Sequence, residues 1–101
     1  MKATILLFAC LGTAAAGTSS SAAGGQLFAA KCAICHSVES SQKKIGPGLK
    51  GVKEGKLPSG RQATRDVILK RLNDGGGGMP VFRELLTDEE KESLVAYVMT
   101  L

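Results

Sequence analysis

The chain has 101 residues, a formal net charge of +4 and four aromatic side chains, three Phe and one Tyr. A chain of this length allows one domain. Domains this small usually need a disulfide, a metal or a bound prosthetic group to supply burial that their own side chains cannot. The length and the few aromatic side chains therefore disfavour an interior made of side chains alone and favour a bound group.

The first residues predict an export signal. Met1 and Lys2 give a positive start, an apolar run extends from Ala3 to Leu11, and the small residues at 13–16 suit a cleavage site. A membrane-spanning helix needs about 20 apolar residues, so this run is too short for an anchor. We predict that the protein is exported, to the periplasm or to the extracytoplasmic surface of a membrane.

The same region sets the predicted domain boundaries. We expect a signal peptide over residues 1–16, with cleavage as late as residue 23 as an alternative. Residues 17–24 are almost wholly small or polar, which predicts a flexible linker, and residues 25–101 form the folded domain. A lipid anchor at Cys10 is a further alternative, because the residues before it resemble a lipobox, although the preceding apolar run is short for one.

The folded part begins with a predicted helix over residues 25–33. Leu27 and Phe28 face the core in this helix, and Cys32 lies at its end. Residues 37–60 then contain seven glycine and proline residues, too many for a long regular element. We predict loops there.

Two further helices are predicted in the second half of the chain. Thr64 can cap a helix that continues to about Asn73, with Gly75 just past its end. Thr87 and Glu90 form a capping box for the last helix. Apolar residues share one face in each helix: Ile68, Leu69 and Leu72 in the first, and Leu94, Val95, Val98 and Leu101 in the second. Without a sustained alternation of period two, the elements predict an all-α fold of three or more short helices.

Residues 32–36 read Cys-Ala-Ile-Cys-His, the attachment motif for c-type haem. Cys32 and Cys35 are spaced to form thioethers with two vinyl groups on one porphyrin edge, and His36 then supplies an axial nitrogen to the iron. A structural zinc site needs four ligands, and this cluster supplies three. A thioredoxin-like pair would follow a strand, and strand signals are scarce. We therefore predict one covalently bound haem c.

The second axial ligand follows by elimination. His36 is the only histidine, and methionine is the next candidate. Met1 belongs to the predicted signal and Met99 to the last helix, whereas Met79 lies on a loop after four consecutive glycines. Met79 is the predicted ligand. The alternatives are that Met79 only fills an apolar gap, and that a lysine or no side chain occupies the sixth position.

These motifs resemble the class I single-domain cytochromes c over about residues 24–101. Besides the haem motif, the family's Gly-Pro-x-Leu loop matches residues 46–49 and its Met-Pro segment matches Met79 and Pro80. The resemblance implies a small cytochrome c fold, with short helices wrapped around one covalently attached haem. It also implies a single-electron carrier of an extracytoplasmic electron-transfer chain, not an enzyme. The alternatives are a permanent electron-transfer subunit of a membrane oxidoreductase, and a ligand-binding haem sensor if Met79 does not bind iron.

The resemblance also implies roles for single residues. In similar cytochromes the carbonyl of the loop proline, here Pro47, accepts the Nδ1 proton of the haem histidine, here His36. Leu49 would pack against the haem face. Gly25 would permit the first and last helices to cross closely, with Tyr97 at the same crossing.

Charge is distributed unevenly along the chain. Residues 43–71 hold nine basic side chains against two acidic ones, whereas residues 83–101 hold two basic against five acidic ones. Such a dipole steers docking toward an oppositely charged partner, and ordinary solubilising charge is the alternative. We predict redox protein partners of opposite charge and no nucleic acid. Membrane contact is expected only through a lipid on Cys10 or by docking to a membrane complex.

Overall fold

The structure, a computed structural model, describes residues 20–101. These residues form three α-helices, α1 (Ser21–Lys31), α2 (Arg65–Asp74) and α3 (Asp88–Val98), and a short 3-10 helix at Val52–Glu54. Their β-type pairing is confined to two isolated bridges. The predicted all-α fold is confirmed. The predicted signal peptide and Cys10 lie outside the described residues.

Helix α1 begins earlier than predicted. Its N-cap is Ser20, whose side-chain oxygen accepts a hydrogen bond from the Ala23 amide at 3.1 Å. Serine is favoured at this position because its hydroxyl satisfies an otherwise unpaired amide of the first turn. Residues 21–24 of the predicted linker are therefore helical. Residues 17–19 of that linker are not among those described.

Gly24 lets α1 cross α3 closely, and this crossing is the most extensive contact between helices in the described part of the chain. A Cβ atom at Gly24 would lie 1.9 Å from the Ser93 carbonyl oxygen. The prediction gave this role to Gly25, one residue too late. Gly25 faces the Tyr97 ring, where a Cβ atom would lie 3.1 Å from the nearest carbon. Phe28 packs beside the same ring, with the ring centroids 5.3 Å apart.

The ends of α2 and α3 match the predicted caps. The Thr64 hydroxyl accepts from the Val67 amide at 3.3 Å, and Gly75 is the C-cap of α2. Thr87 and Glu90 make both hydrogen bonds of the capping box, at 3.1 and 2.9 Å. These caps fix where the segment between α2 and α3 begins and ends.

One apolar core lies between the three helices and the loops. Leu94 and Val52 are its least exposed members, at 1% and 2%. The Leu101 carbonyl accepts the amides of Gly51 and Lys53 at 3.1 and 3.0 Å, which ties the region after α3 to the 3-10 helix. Within residues 20–101, no helix has both the length and the apolar character needed to cross a membrane. The other buried apolar residues are Phe28, Cys32, Leu49, Ile68, Leu72, Phe82, Leu86, Val95 and Val98.

Candidate haem site

One cavity collects the residues that the sequence singled out. Its volume is about 580 Å³, which lies within the roughly 300–1,000 Å³ typical of cofactor pockets. The loop after α1, the loop at residues 46–49 and the loop between α2 and α3 meet around it. All six predicted site residues line this cavity: Cys32, Cys35, His36, Pro47, Leu49 and Met79.

A tight turn after α1 brings the two thiols and the imidazole together. The Cys32 amide donates to the Phe28 carbonyl at 2.8 Å, and the amides of Cys35 and His36 both donate to the Cys32 carbonyl, at 3.1 and 2.9 Å. Cys32 and Cys35 are not joined in a disulfide, so both sulfurs are available to a haem. Burial raises the pKa of the Cys32 thiol, and the neighbouring Cys35 raises it further.

The imidazole of His36 is oriented from the Gly-Pro-x-Leu loop. Its Nδ1 lies 2.7 Å from the Pro47 carbonyl oxygen, so Nδ1 is the protonated nitrogen and Nε2 is free to bind a metal. Gly46 lies against the same ring, since a Cβ atom there would be 2.7 Å from His36 Cε1. The Gly46 amide also donates to the Cys35 carbonyl at 2.7 Å. The loop and the cysteine turn therefore form one support for the ring.

Met79 follows a turn built from glycine. The four glycines at residues 75–78 have φ values of 62°, 116°, 61° and 92°, which residues with a Cβ atom rarely adopt. Gly76 and Met79 exchange two backbone hydrogen bonds, both at 3.0 Å. The two central residues of this turn, Gly77 and Gly78, both have positive φ, which is the pattern of a type I′ turn. The run of glycines, which by composition is typical of a flexible linker, therefore forms a closed turn that presents Met79 half-buried against the core.

The wall and rim of the cavity include residues that the sequence analysis did not single out as site residues. Ile68 and Leu72 line the cavity from α2. The helical spacing placed both on the apolar face of that helix but did not assign them to the site. Phe82 closes the wall, and its position soon after Met79 is the signal that could have found it. The charged residues at the rim are mostly basic, and no sequence motif predicted which of them would lie there. They are Lys31, Lys43, Arg61, Lys70 and Arg71, with Asp74 as the one acidic member.

The residues of this cavity fit a haem group. Its wall is apolar, and its available metal or covalent donors are two thiols, one imidazole and one thioether, the set that a c-type haem with His and Met ligation uses. Glycines at 46 and 75–78 keep the backbone free of side chains where it borders the cavity. A flat apolar macrocycle with an iron at its centre suits both the wall and the donors.

Comparison with known proteins identifies cytochromes as the relatives of this chain. The family described as "Cytochrome C oxidase, cbb3-type, subunit III" matches residues 19–98. The chain is similar to cytochrome c6 of Leptolyngbya boryana, at 35% identity over 77% of this chain and 88% of the relative. It is also similar to cytochrome c-551 of Ectopseudomonas mendocina, at 35% identity over 79% of this chain and 99% of the relative.

A solved structure agrees with these relatives. Cytochrome c6 from the diatom Phaeodactylum tricornutum superposes with a TM-score of 0.64 and 34% sequence identity, over 81% of this chain and 93% of that one. A family match across most of the chain and relatives matched over most of their own length establish the relationship. The chain belongs to the small c-type cytochromes, electron carriers that hold one haem c covalently.

Proposed function

We propose that Cys32 and Cys35 bind the haem, that His36 and Met79 are the axial ligands of its iron, and that the protein carries single electrons between redox proteins outside the cytoplasm. The observation that supports this proposal is the convergence of two thiols, the imidazole and one thioether on a single cavity. Pro47 orients the imidazole, and Leu49, which is 9% exposed, packs against the haem face.

The residues of the chain set the conditions for electron transfer. The haem iron itself supplies the redox chemistry by changing between its ferric and ferrous states. The hydrogen bond from His36 to the Pro47 carbonyl holds the ring in one orientation, and the closed glycine turn holds Met79. Because both ligands come from supported positions, the site reorganises little when it gains or loses an electron. A thioether ligand also favours ferrous iron relative to a second imidazole, which raises the reduction potential.

We also propose how the chain is divided. The folded unit starts at the Ser20 cap of α1, because Ser20 and Gly24 both contact Ser93 of α3. The residues before this cap act as the export signal and any remaining linker. Periplasmic location, or attachment to the outer surface of a membrane through Cys10, follows from that signal.

Replacing Met79 with leucine tests the ligand proposal. Leucine has a similar volume but no sulfur, so Met79→Leu should abolish the sulfur-to-iron charge-transfer absorption of the ferric protein and lower its reduction potential. Visible spectroscopy and potentiometry measure both quantities, and mass spectrometry verifies that one haem stays attached.

Met99→Leu is the matched control. Met99 follows α3, is 41% exposed and does not line the cavity, so this variant should keep the wild-type spectrum and potential. A Met79→Leu protein with an unchanged ferric spectrum would mean that Met79 only fills space, and would favour a ligand-binding haem sensor.

The charge around the cavity supports a partner with an acidic surface. Ile34 and Ile45 line the cavity and are 71% and 67% exposed, so an apolar mouth is surrounded by the basic rim described above. Apolar contact at the mouth brings the haem close to a partner, while the surrounding positive charge steers its approach.

Salt should slow the reaction with anionic oxidants. For the ferrous protein, we expect the rate with ferricyanide to fall by about tenfold as the screening length shortens from about 30 Å at 0.01 M to about 3 Å at 1 M ionic strength. The rate with the cationic tris(phenanthroline)cobalt(III) should rise instead. Stopped-flow absorbance measures both rates.

Two charge-reversal variants test whether the salt dependence originates at the cavity rim. Lys43→Glu changes a residue of the cavity rim, whereas Lys53→Glu makes the same charge change on the 3-10 helix, away from the cavity lining. Lys43→Glu should weaken the salt dependence more than Lys53→Glu. Equal effects from the two variants would indicate that only net charge matters.

A second candidate function has one observation in its favour. The matched family is described as a subunit of a cbb3-type cytochrome c oxidase, which favours a permanent electron-transfer subunit of a membrane complex. The two functions differ in assembly state: a mobile carrier is released as a monomer when membranes are washed with salt, whereas a permanent subunit stays with the detergent-solubilised complex.

A further inference from the structure

Helix α3 carries a buried lysine. The side chain of Lys91 is 6% exposed, and Lys91 is the one charged residue in the buried set of residues 20–101. Lysine is almost never buried unless its ammonium group has a partner, because removing the charge from water is unfavourable. The partner therefore shows what this residue is arranged to contact.

The contact of Lys91 is with backbone rather than with a carboxylate. Its Nζ donates to the Arg83 carbonyl oxygen at 2.7 Å. The nearest carboxylate, that of Asp88, lies 3.8 Å away and is fully exposed. At that distance the carboxylate is beyond a hydrogen bond, so the short bond to Arg83 is the main interaction of the ammonium group.

Arg83 belongs to the ligand segment, residues 79–86, which runs from Met79 to the cap of α3. Contacts to α2 hold one side of this segment: the Phe82 amide donates to the Leu72 carbonyl at 2.8 Å, and Arg83 Nη2 donates to Asp74 at 2.6 Å. The ion pair between Arg83 and Asp74 is exposed and contributes little. Lys91 provides a partly buried, charge-assisted hydrogen bond from α3 to the same segment, a stronger kind of contact.

We propose that Lys91 is a positioning residue for the iron site. By fixing the Arg83 carbonyl to α3, Lys91 holds Met79 in place. This inference rests on the proposed role of Met79 as an axial ligand. Without the bond from Lys91, the polar contacts described above tie the ligand segment to α2 alone, and the segment moves more freely relative to the cavity. Met79 then competes less well with an added ligand for the iron.

Competition with imidazole tests this role. Imidazole displaces a weakly held methionine from ferric iron, and loss of the sulfur-to-iron absorption reports the displacement. Lys91→Met keeps the side-chain volume and removes the donor, so we expect its half-displacement concentration of imidazole to be about tenfold below that of the wild type. Lys91→Leu, a second apolar variant, should behave alike. Lys91→Arg keeps a donor and should restore most of the wild-type value.

Ser93→Ala is the matched control. Ser93 is as buried as Lys91 and lies on the same helix, but its hydroxyl accepts the Ser20 amide at the crossing with α1. Ser93→Ala should lower the denaturant midpoint without changing the imidazole midpoint. Hydrogen exchange of the Phe82 and Leu86 amides gives a second measurement, and it should accelerate in Lys91→Met but not in Ser93→Ala.

The outcomes separate this inference from the proposed function. If Lys91→Met or Lys91→Leu binds imidazole as weakly as the wild type does, with unchanged exchange at residues 82 and 86, Lys91 does not position Met79, although Met79 can still be the ligand. If the wild type itself lacks the absorption and Met79→Leu leaves its spectrum unchanged, the ligand proposal is wrong and the role of Lys91 falls with it.

Discussion

Replacing Gly24 with alanine is expected to lower the free energy of unfolding by about 3 kcal/mol, at the upper end of the usual range for overpacking. The new Cβ atom would lie 1.9 Å from the Ser93 carbonyl oxygen and 2.6 Å from its carbonyl carbon. Both are backbone atoms of a helix, so neither can turn aside as a flexible side chain would. Helices α1 and α3 must separate instead, and their crossing holds Phe28 and Leu94 in the core.

Gly25→Ala is the control for this prediction. Its Cβ atom would meet carbons of the Tyr97 ring at 3.1 and 3.3 Å, and the ring can shift by a few tenths of an ångström. Alanine is also favoured over glycine inside a helix by about 0.8–1.0 kcal/mol, which offsets the crowding. Denaturant unfolding of the holoproteins, followed by far-ultraviolet circular dichroism, should therefore place Gly25→Ala near the wild type. Equal midpoints for the two variants would show that the crossing is looser than the structure indicates.

The helix ends show what the sequence could predict. Thr64, and the pair of Thr87 and Glu90, act through hydrogen bonds to amides three residues away, so local sequence is enough to locate them. The start of α1 was predicted four residues late because its small residues are equally typical of a linker. The contact of Gly24 with α3 makes them helical, and local sequence does not contain that contact.

The haem site also divides into features that local sequence can predict and features that depend on tertiary contacts. The haem motif, the elimination of other ligands and the resemblance of two further segments pointed to six site residues, and all six line the cavity. The support of those residues could not be predicted in the same way. Lys91 is one of several charged residues at the start of α3, and only the packing of the ligand segment buries it. The closed turn at residues 75–78 could not be predicted either, because four glycines are compatible with many backbone conformations and only the two hydrogen bonds between Gly76 and Met79 show that the turn is closed.

The second large effect is expected at the start of that turn. Gly75 has φ 62° and ψ −146°, a combination that is essentially restricted to glycine. A Cβ atom at Gly75 would also lie 2.6 Å from the Met79 carbonyl oxygen and 2.7 Å from that of Pro80. Gly75→Ala must therefore displace Met79 together with the residue that follows it. We expect loss of the sulfur-to-iron absorption in the ferric protein, a lower reduction potential and a lower unfolding midpoint.

Gly77→Ala separates collision from backbone strain. Gly77 also has a positive φ, 61°, but no atom lies within 4 Å of the position that its Cβ would take. Its replacement should add only the strain of a left-handed residue, about 1–2 kcal/mol, and should leave methionine bound to iron. The two variants therefore differ in the iron spectrum rather than in stability alone. If Gly75→Ala keeps the wild-type absorption and potential, the glycine turn does not determine where Met79 lies, and the ligand must be held mainly by the contacts that follow it.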